Sequence, residues 1–351
     1  MATSIQKIIV VIGATGNQGS SVADTFIKLP GWKVRAVTRN PSSPAAQALA
    51  NSGAEVVLAD LSDITSLSKS FEGAHAIFVN TDFWGTYRPL IAAIATGKTI
   101  PKEGEPEPSQ IAFETEVLHG RNAAQAAAGV STLERFVYSA LPPMTKLSGG
   151  KYTHSYHWDS KGTIVDYIEK DLPDLAKISS FIYLGGYNTN ALFSPKLDPT
   201  DGKYKFMSPL NKDTRMPIID QRKSTGPFVR ALIEDQKPGI KLLAYDRDSY
   251  LTIQEMADVW SRASGREAIV VQVTIDFMHE KFGLPWEVLE APKFVAESGY
   301  TGSMKMTQPD ELTPRVETRS YEEWMMGRDW DTILKTDEAA FQSAKAEIGV
   351  K

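Results

Sequence analysis

The sequence contains no cysteine. That absence removes disulfides, thiolate nucleophiles and cysteine-ligated zinc or iron–sulfur clusters in one step, and it suits a reducing compartment. Histidines are few, five in 351 residues. Only His154 and His157 stand close together, and no His-Glu-x-x-His spacing occurs, so no metal site is expected. No uninterrupted apolar stretch approaches membrane-spanning length. The opening residues, Met1 to Lys7, run straight into an apolar strand without the apolar block and cleavage site of a signal peptide, which makes the cytoplasm the expected location. Dense basic clusters are missing and the net charge is -5, arguing against an extended nucleic-acid surface. Internal repeats are lacking as well. With 42% hydrophobic and 23% charged residues the composition is that of a globular protein, with neither nucleic acid nor membrane expected as a partner.

What is present is an alternation of strand and helix signals. Lys7–Ile12 is short, apolar and β-branched, and glycines followed by a helical pattern over Ser20–Leu29 read as strand, tight turn, helix. Further strands are expected at Lys33–Thr38, Ala54–Leu58, Ala76–Asn80, Arg135–Tyr138 and Ile178–Tyr183, with helices near Pro44–Asn51, Ile64–Phe71 and Ser109–Gly129. This order builds an α/β fold with a doubly wound parallel sheet covered on both faces. The Gly/Pro/Glu-rich stretch Gly97–Pro108 is expected to be an exposed loop. From about Gly185 the alternation fades, although Leu251–Ser264 reads as a helix opened by Thr252, and Ile269–Val273 as a strand. Trp324 and Trp330 read as docking points of a terminal helix.

The strongest motif is Gly13-Ala-Thr15-Gly16-Asn17-Gln18-Gly19, which directly follows the first strand and opens the first helix. Gly13 permits the turn, Gly16 lets backbone N–H groups approach a pyrophosphate, and Gly19 allows helix and strand to pack closely. The helix N-terminus adds partial positive charge for phosphates. Residues 1–184 are therefore expected to form a Rossmann-type dinucleotide-binding domain, and 185–351 a smaller C-terminal α/β substrate-binding region, with a boundary across which the chain can return. About twenty residues past Gly19, where an NAD site carries an acid, stand Val37-Thr38-Arg39-Asn40. Arg39 can form charge-assisted hydrogen bonds to a 2′-phosphate, so NADP(H) is the expected cofactor. Asp60-Leu61 either faces the adenine or caps the following helix. Ser139, at the end of the fifth strand, either touches a bound ligand or satisfies backbone.

With the glycine motif, Arg39, Ala59-Asp60-Leu61, Asn80-Thr81 and His157-Trp-Asp-Ser-Lys161, the chain resembles the NmrA-like family of atypical short-chain dehydrogenases/reductases in its fungal form. The likeness is strongest over residues 5–190. It implies that Asn80 and Thr81 approach the cofactor's ribose and diphosphate, that Lys161 meets the nicotinamide ribose, and that Tyr183 and Gly185-Gly186-Tyr187-Asn188 lie at the nicotinamide end, with Tyr187 toward substrate. Its members include NADPH-dependent reductases, NADP(H) sensors that bind transcription factors, and enzymes of fungal secondary metabolism, some of them catalysing non-redox condensations of the Pictet–Spengler type.

The chemistry is read from what departs from the usual pattern. An ordinary short-chain reductase uses Tyr-x-x-x-Lys, in which lysine lowers the tyrosine pKa so that the phenol can donate a proton. Here the residue four before Lys161 is His157, an acid near neutral pH or a hydrogen-bonding group within the fold. After the fourth strand, Phe83, Trp84 and Tyr87 beside Arg88 suit a flat, partly apolar ligand, or else an aromatic mini-core with a surface arginine. On the helix from Ser109, the large apolar residues Ile111, Phe113, Val117 and Leu118 define an arc that includes Glu114 and excludes Glu116. Glu114 is thus expected to be partly buried, paired with Arg88 or Arg121 or poised for proton transfer. The resulting expectation is an enzyme acting on a carbonyl- or imine-bearing metabolite, with Arg88, Glu114 and His157 in catalysis; the alternatives are a plain reductase and a cofactor sensor.

Overall fold

Seven parallel strands form the central sheet of the computed structural model, which describes residues 6–100, 104–198 and 200–348. They are β1 (Lys7–Ile12), β2 (Trp32–Thr38), β3 (Glu55–Leu58), β4 (Ala76–Val79), β5 (Arg135–Ala140), β6 (Ser179–Leu184) and an edge strand, Lys241–Ala244. Their order in space is edge strand, β6, β5, β4, β1, β2, β3. The chain winds outward from β1 through β2 to β3, then crosses back to place β4 on the other side of β1. That reversal opens a crevice beyond the carboxyl ends of β1 and β4, where α/β sheets bind ligands. All four residues of β4 and the last five of β5 are buried, as expected for a sheet covered on both faces.

The helices follow from local signals. Asn17–Ile27 (α1) continues directly from the glycine turn, three residues earlier than the apolar pattern implied. Pro44–Asn51 (α2) has proline at its first turn and a Ser43 cap, while Ile64–Phe71 (α3) is capped by Asp63. Trp84–Ala95 (α4) is a helix the sequence did not reveal. Of its twelve residues only Tyr87 is buried, so it carries no stripe of apolar periodicity. Pro108–Ala128 (α5) packs against α3, α4 and Tyr156–Asp171 (α7), which follows the short Met144–Leu147 (α6). The edge strand was missed because four residues beside a loop give little pattern. Of the stretch expected to be a loop, Gly97–Ile100 and Gly104–Glu107 are exposed, residues 101–103 lie outside the described residues, and Pro108 already begins α5. The expectation for Met1 to Ile5 also falls outside them.

The chain forms two compact units. The first comprises residues through Leu184 together with Gln221–Ala244 and Ser303–Glu317. Within it α1 packs against Thr225–Arg230, where the Gly226 amide donates to Ser21 Oγ at 2.9 Å. The second unit comprises the remaining segments and holds two three-stranded sheets. Its helix Ile253–Ser264 starts as the sequence indicated, with Thr252 and Glu255 closing a capping box at 3.0 and 2.7 Å. Trp260 on that helix is buried against Tyr204 and meets Trp330 edge-on at 5.4 Å, which anchors the terminal helix Trp330–Ile348.

Candidate active site

The turn after β1 is shaped by backbone. Gly13 sits at φ +69°, and the Gly16 amide donates to the Gly13 carbonyl at 2.9 Å. A Cβ on Gly19 would lie 2.2 Å from that same carbonyl oxygen, so no larger residue fits while helix and turn touch this closely. No side chain caps α1, and its first turn has no acid. Such an uncapped N-terminus presents its partial positive charge to any anion that reaches it. Thr15 and Gly16 are exposed, Asn17 is half-buried, and Gln18 and Gly19 are buried beneath them. Asn80, just past β4, lies against the turn, its carbonyl oxygen 3.6 Å from where a Gly13 Cβ would be.

Arg39 follows β2, exposed, and its guanidinium makes no hydrogen bond or ion pair among the described residues. Asp60 is not the helix cap; that role falls to Asp63. Instead the Asp60 carboxylate accepts from the Ser62 amide at 2.8 Å and the Ser62 hydroxyl at 2.7 Å. These bonds, with a smaller contribution from Arg39, hold its carboxyl below the ordinary range. The Leu61 carbonyl accepts from Asn122 of α5 at 2.9 Å. One turn earlier on α5, His119 is half-buried; burial lowers its pKa, opposed chiefly by the Asp60 charge.

A buried polar cluster lies next to Asn80. Glu116 of α5, 1% exposed, is its centre. Lys161 of α7 donates to Glu116 Oε1 at 2.8 Å, and to both the carbonyl and the hydroxyl of Thr81 at 3.0 Å. Thr81 Oγ1 donates to Glu116 Oε1 at 2.7 Å and lies 3.0 Å from the Tyr138 phenol, while the Ser160 hydroxyl donates to Glu116 Oε2. A threonine hydroxyl has one proton, so Tyr138 donates to Thr81. Burial, reinforced by the Glu116 charge, pushes the Tyr138 phenol well up and keeps it neutral.

This arrangement overturns the expectation for Glu114. Glu114 is exposed and is bonded by Gln110 at 3.0 Å, whereas Glu116 is buried. Apart from Glu116, the buried residues of α5 are all alanine or glycine, among them Ala112, Gly120, Ala123 and Ala127, a stripe that the large apolar side chains do not mark. Close packing is the reason: a Cβ on Gly120 would lie 2.4 Å from Ile164 Cδ1 of α7, and Leu118 is left 51% exposed. Arg88 and Arg121 do not pair with Glu114 either. Arg88 lies 5.5 Å over the Trp84 ring and Arg121 4.8 Å over Tyr167.

The aromatic segment is a mini-core more than an open platform. Phe83 and Tyr87 stack at 5.5 Å, buried with Ala112, and Phe113 and Tyr156 pack on them. His157 joins this cluster, 4.9 Å from Trp84 and 5.8 Å from Phe83. Phe83 and Tyr87 thus have little face to offer a ligand; the half-buried Trp84, the exposed Arg88 and His157 form the open part. Ser139 and Tyr183 are 2% and 1% exposed within the sheet, and burial pushes the Tyr183 phenol up.

Gly185, Tyr187 and Asn188 belong to the second unit. Gly186–Tyr187 pairs in parallel with Arg215–Ile219, and a Cβ on Gly185 would lie 2.5 Å from the Pro217 carbonyl oxygen. Asn188 is 5% exposed, and neither its Oδ1 nor its Nδ2 finds a partner among the described residues. A buried amide left open in this way is a ready partner for a polar ligand.

The residues missed by sequence reasoning are Glu116, Tyr138, Ser160 and His119. Glu116 had a legible signal, since Ala112, Glu116, Gly120, Ala123 and Ala127 recur at helical spacing. Tyr138 and Ser160 had none, because their partners come from other elements.

Comparison with known proteins places this architecture. An NmrA-like oxidoreductase of Aspergillus hancockii is 28% identical over 290 residues, covering 80% of this chain and 79% of its own. Another, from a Cladobotryum species, is 36% identical over 236 residues, 64% of each chain. The crystal structure of the negative transcriptional regulator NmrA in complex with NADP superposes with a TM-score of 0.66 at 22% identity, covering 93% of this chain and 99% of that one, a likeness of fold. The model of the NmrA-like family matches residues 5–325, a span that includes the glycine turn, the crossover to β4 and Lys161, and the chain belongs to that family.

Proposed function

We propose that the protein binds NADP(H) at the crevice beyond β1 and β4 and acts as an oxidoreductase on a small carbonyl- or imine-bearing metabolite. One observation carries this reading: an uncapped helix N-terminus behind a glycine turn, with the unengaged guanidinium of Arg39 standing where an NAD site has an acid. Gly13, Thr15, Gly16, Asn17, Gln18 and Gly19 would hold the diphosphate, Arg39 the 2′-phosphate, Asp60 and Leu61 the adenosine, and Asn80 the wall beside the turn. Thr81, Lys161, Ser139, Tyr183, Gly185 and Asn188 are assigned to the nicotinamide half by family likeness alone. The cofactor, when bound, supplies or accepts a hydride. Trp84, Arg88, His157 and Tyr187 are the groups proposed to meet substrate. The NADP of the regulator's crystal structure and the names of the fungal relatives support the same reading.

A second reading has its own observation. Position 157 holds histidine within an aromatic cluster, and Lys161 is engaged by Thr81 and Glu116, so the tyrosine–lysine acid of ordinary reductases is not assembled. This favours a fungal secondary-metabolism enzyme of alkaloid type that uses the bound cofactor structurally while an imine is protonated and closes a ring, as in a Pictet–Spengler condensation. Absorbance of the reduced nicotinamide, followed while candidate carbonyls and imines are consumed, separates these readings. NADPH loss in proportion to product identifies a reductase, and product without NADPH loss identifies the non-redox enzyme. Binding of NADPH with no product from any substrate leaves a sensor that engages a transcription factor. In the same assay Arg39→Ala is expected to weaken NADPH roughly tenfold to a hundredfold while sparing NADH, as fits loss of a charge-assisted phosphate contact. Equal losses for both would mean that the 2′-phosphate is read elsewhere.

A further inference from the structure

Resting on the reading that this crevice takes NADP(H), we propose that His119 of α5 is a specificity-determining residue: it lines the adenosine end of the site, and a 2′-phosphate bound by Arg39 draws a proton from solvent onto its imidazole.

Placement is the first ground. Asn122 of α5 donates to the Leu61 carbonyl at 2.9 Å, and α3, which begins just after that segment, packs along α5. His119 precedes Asn122 by three residues, so it stands on the same side of the helix and faces the Asp60–Leu61 segment. The charges that act on its ring come from Glu116 on its own helix and from the ends of three strands: Asp60 after β3, Arg39 after β2 and Asp82 after β4. Strands β3 and β4 lie on opposite sides of β1. A half-buried ring within reach of all three strand ends therefore borders the crevice in which the cofactor is proposed to lie.

Electrostatics is the second ground. Burial disfavours a proton on the ring; the Asp60, Glu116 and Asp82 charges favour one and the Arg39 charge opposes it. A 2′-phosphate on Arg39 alters this balance twice. It offsets the guanidinium, and it brings about 1.5 to 2 negative charges of its own. Both changes favour the imidazolium, and NAD(H) makes neither. Binding that takes up a proton tightens as pH falls, so His119 sharpens the choice of NADP(H) in mild acid. The phosphate works the other way, because it takes up a proton itself near about pH 6 and loses charge. A variant lacking the imidazole separates the two.

The experiment follows the histidine NMR signals of the purified full chain between about pH 5 and about pH 8, alone, with NAD+ and with NADP+. His119→Gln identifies the signal by its disappearance. His119 is expected to hold its proton roughly threefold to tenfold more tightly with NADP+ than with NAD+, the effect of one phosphate charge acting across a partly buried site. Fluorescence titrations with NADPH and NADH give the second readout. On passing from about pH 8 to about pH 6, the wild-type preference for NADPH should gain on that of His119→Gln by a similar factor, roughly threefold or more. A His119 signal that titrates identically with both cofactors, or a variant whose preference follows the wild-type pH course, overturns the inference while the cofactor reading stands. Wild-type protein that binds neither dinucleotide overturns both.

Discussion

The glycine turn and the Glu116 cluster meet at adjacent residues, Asn80 and Thr81, yet they are built in opposite ways. The turn consists of backbone, is exposed at Thr15 and Gly16, and opens a helix that no side chain caps; the cluster consists of side chains that bond one another in a buried setting. An exposed turn on an uncapped helix is open to a ligand. A buried set of mutually bonded side chains holds together the elements that carry it. The difference assigns diphosphate binding to the turn and rigidity to the cluster.

Removing the cluster's charge tests this division most severely. Glu116→Ala leaves Lys161 partly buried without its counter-charge and should cost about 3–5 kcal/mol, read as a fall in unfolding free energy in urea. A loss below about 1 kcal/mol, the range of surface pairs, would mean the cluster is not the rigid element described here. At the turn, Gly19→Ala drives a Cβ into the Gly13 carbonyl. The expected cost is about 1–3 kcal/mol, with cofactor affinity falling further than stability because the amides lose their alignment. Intact affinity in that variant would show that the turn does not read the diphosphate.

Acid provides a finer test at His119, whose ring feels the charge of Asp60. Burial holds the His119 imidazole below its ordinary value, so the folded state binds a proton there less readily than the unfolded chain. The stability from the neutral ring is complete above the ordinary histidine value of about 6.5 and is lost as pH falls through the lowered one. His119→Gln should flatten that part of the decline between neutral and mildly acid pH; an unchanged slope would place the titration elsewhere. The smallest effect is expected two residues from the largest. Glu114→Gln changes an exposed side chain and should move stability by less than about 0.5 kcal/mol, with cofactor affinity unaltered. A large effect would reinstate Glu114.

Those two glutamates show how far sequence reading reaches. Six of the seven strands of the sheet, the glycine turn and the Thr252 cap were legible because each rests on a short local pattern. The burial of α5 was misread because its large apolar residues were taken to mark the core, when tight packing against α7 admits only small ones. Helix α4 lacked any periodic stripe, and of the two readings open for Phe83 and Tyr87, ligand platform or mini-core, their packing favours the second.

By itself the order of residues determined a parallel sheet, a phosphate-shaped turn at the end of its first strand, and an arginine where an acid would select against NADP(H). All of these follow from backbone geometry and near-neighbour chemistry. Only the tertiary structure decided which carboxylate goes inside and what Lys161 grips, because Thr81, Glu116, Tyr138 and Lys161 are brought within hydrogen-bond reach by packing across four elements, which no spacing along the chain encodes.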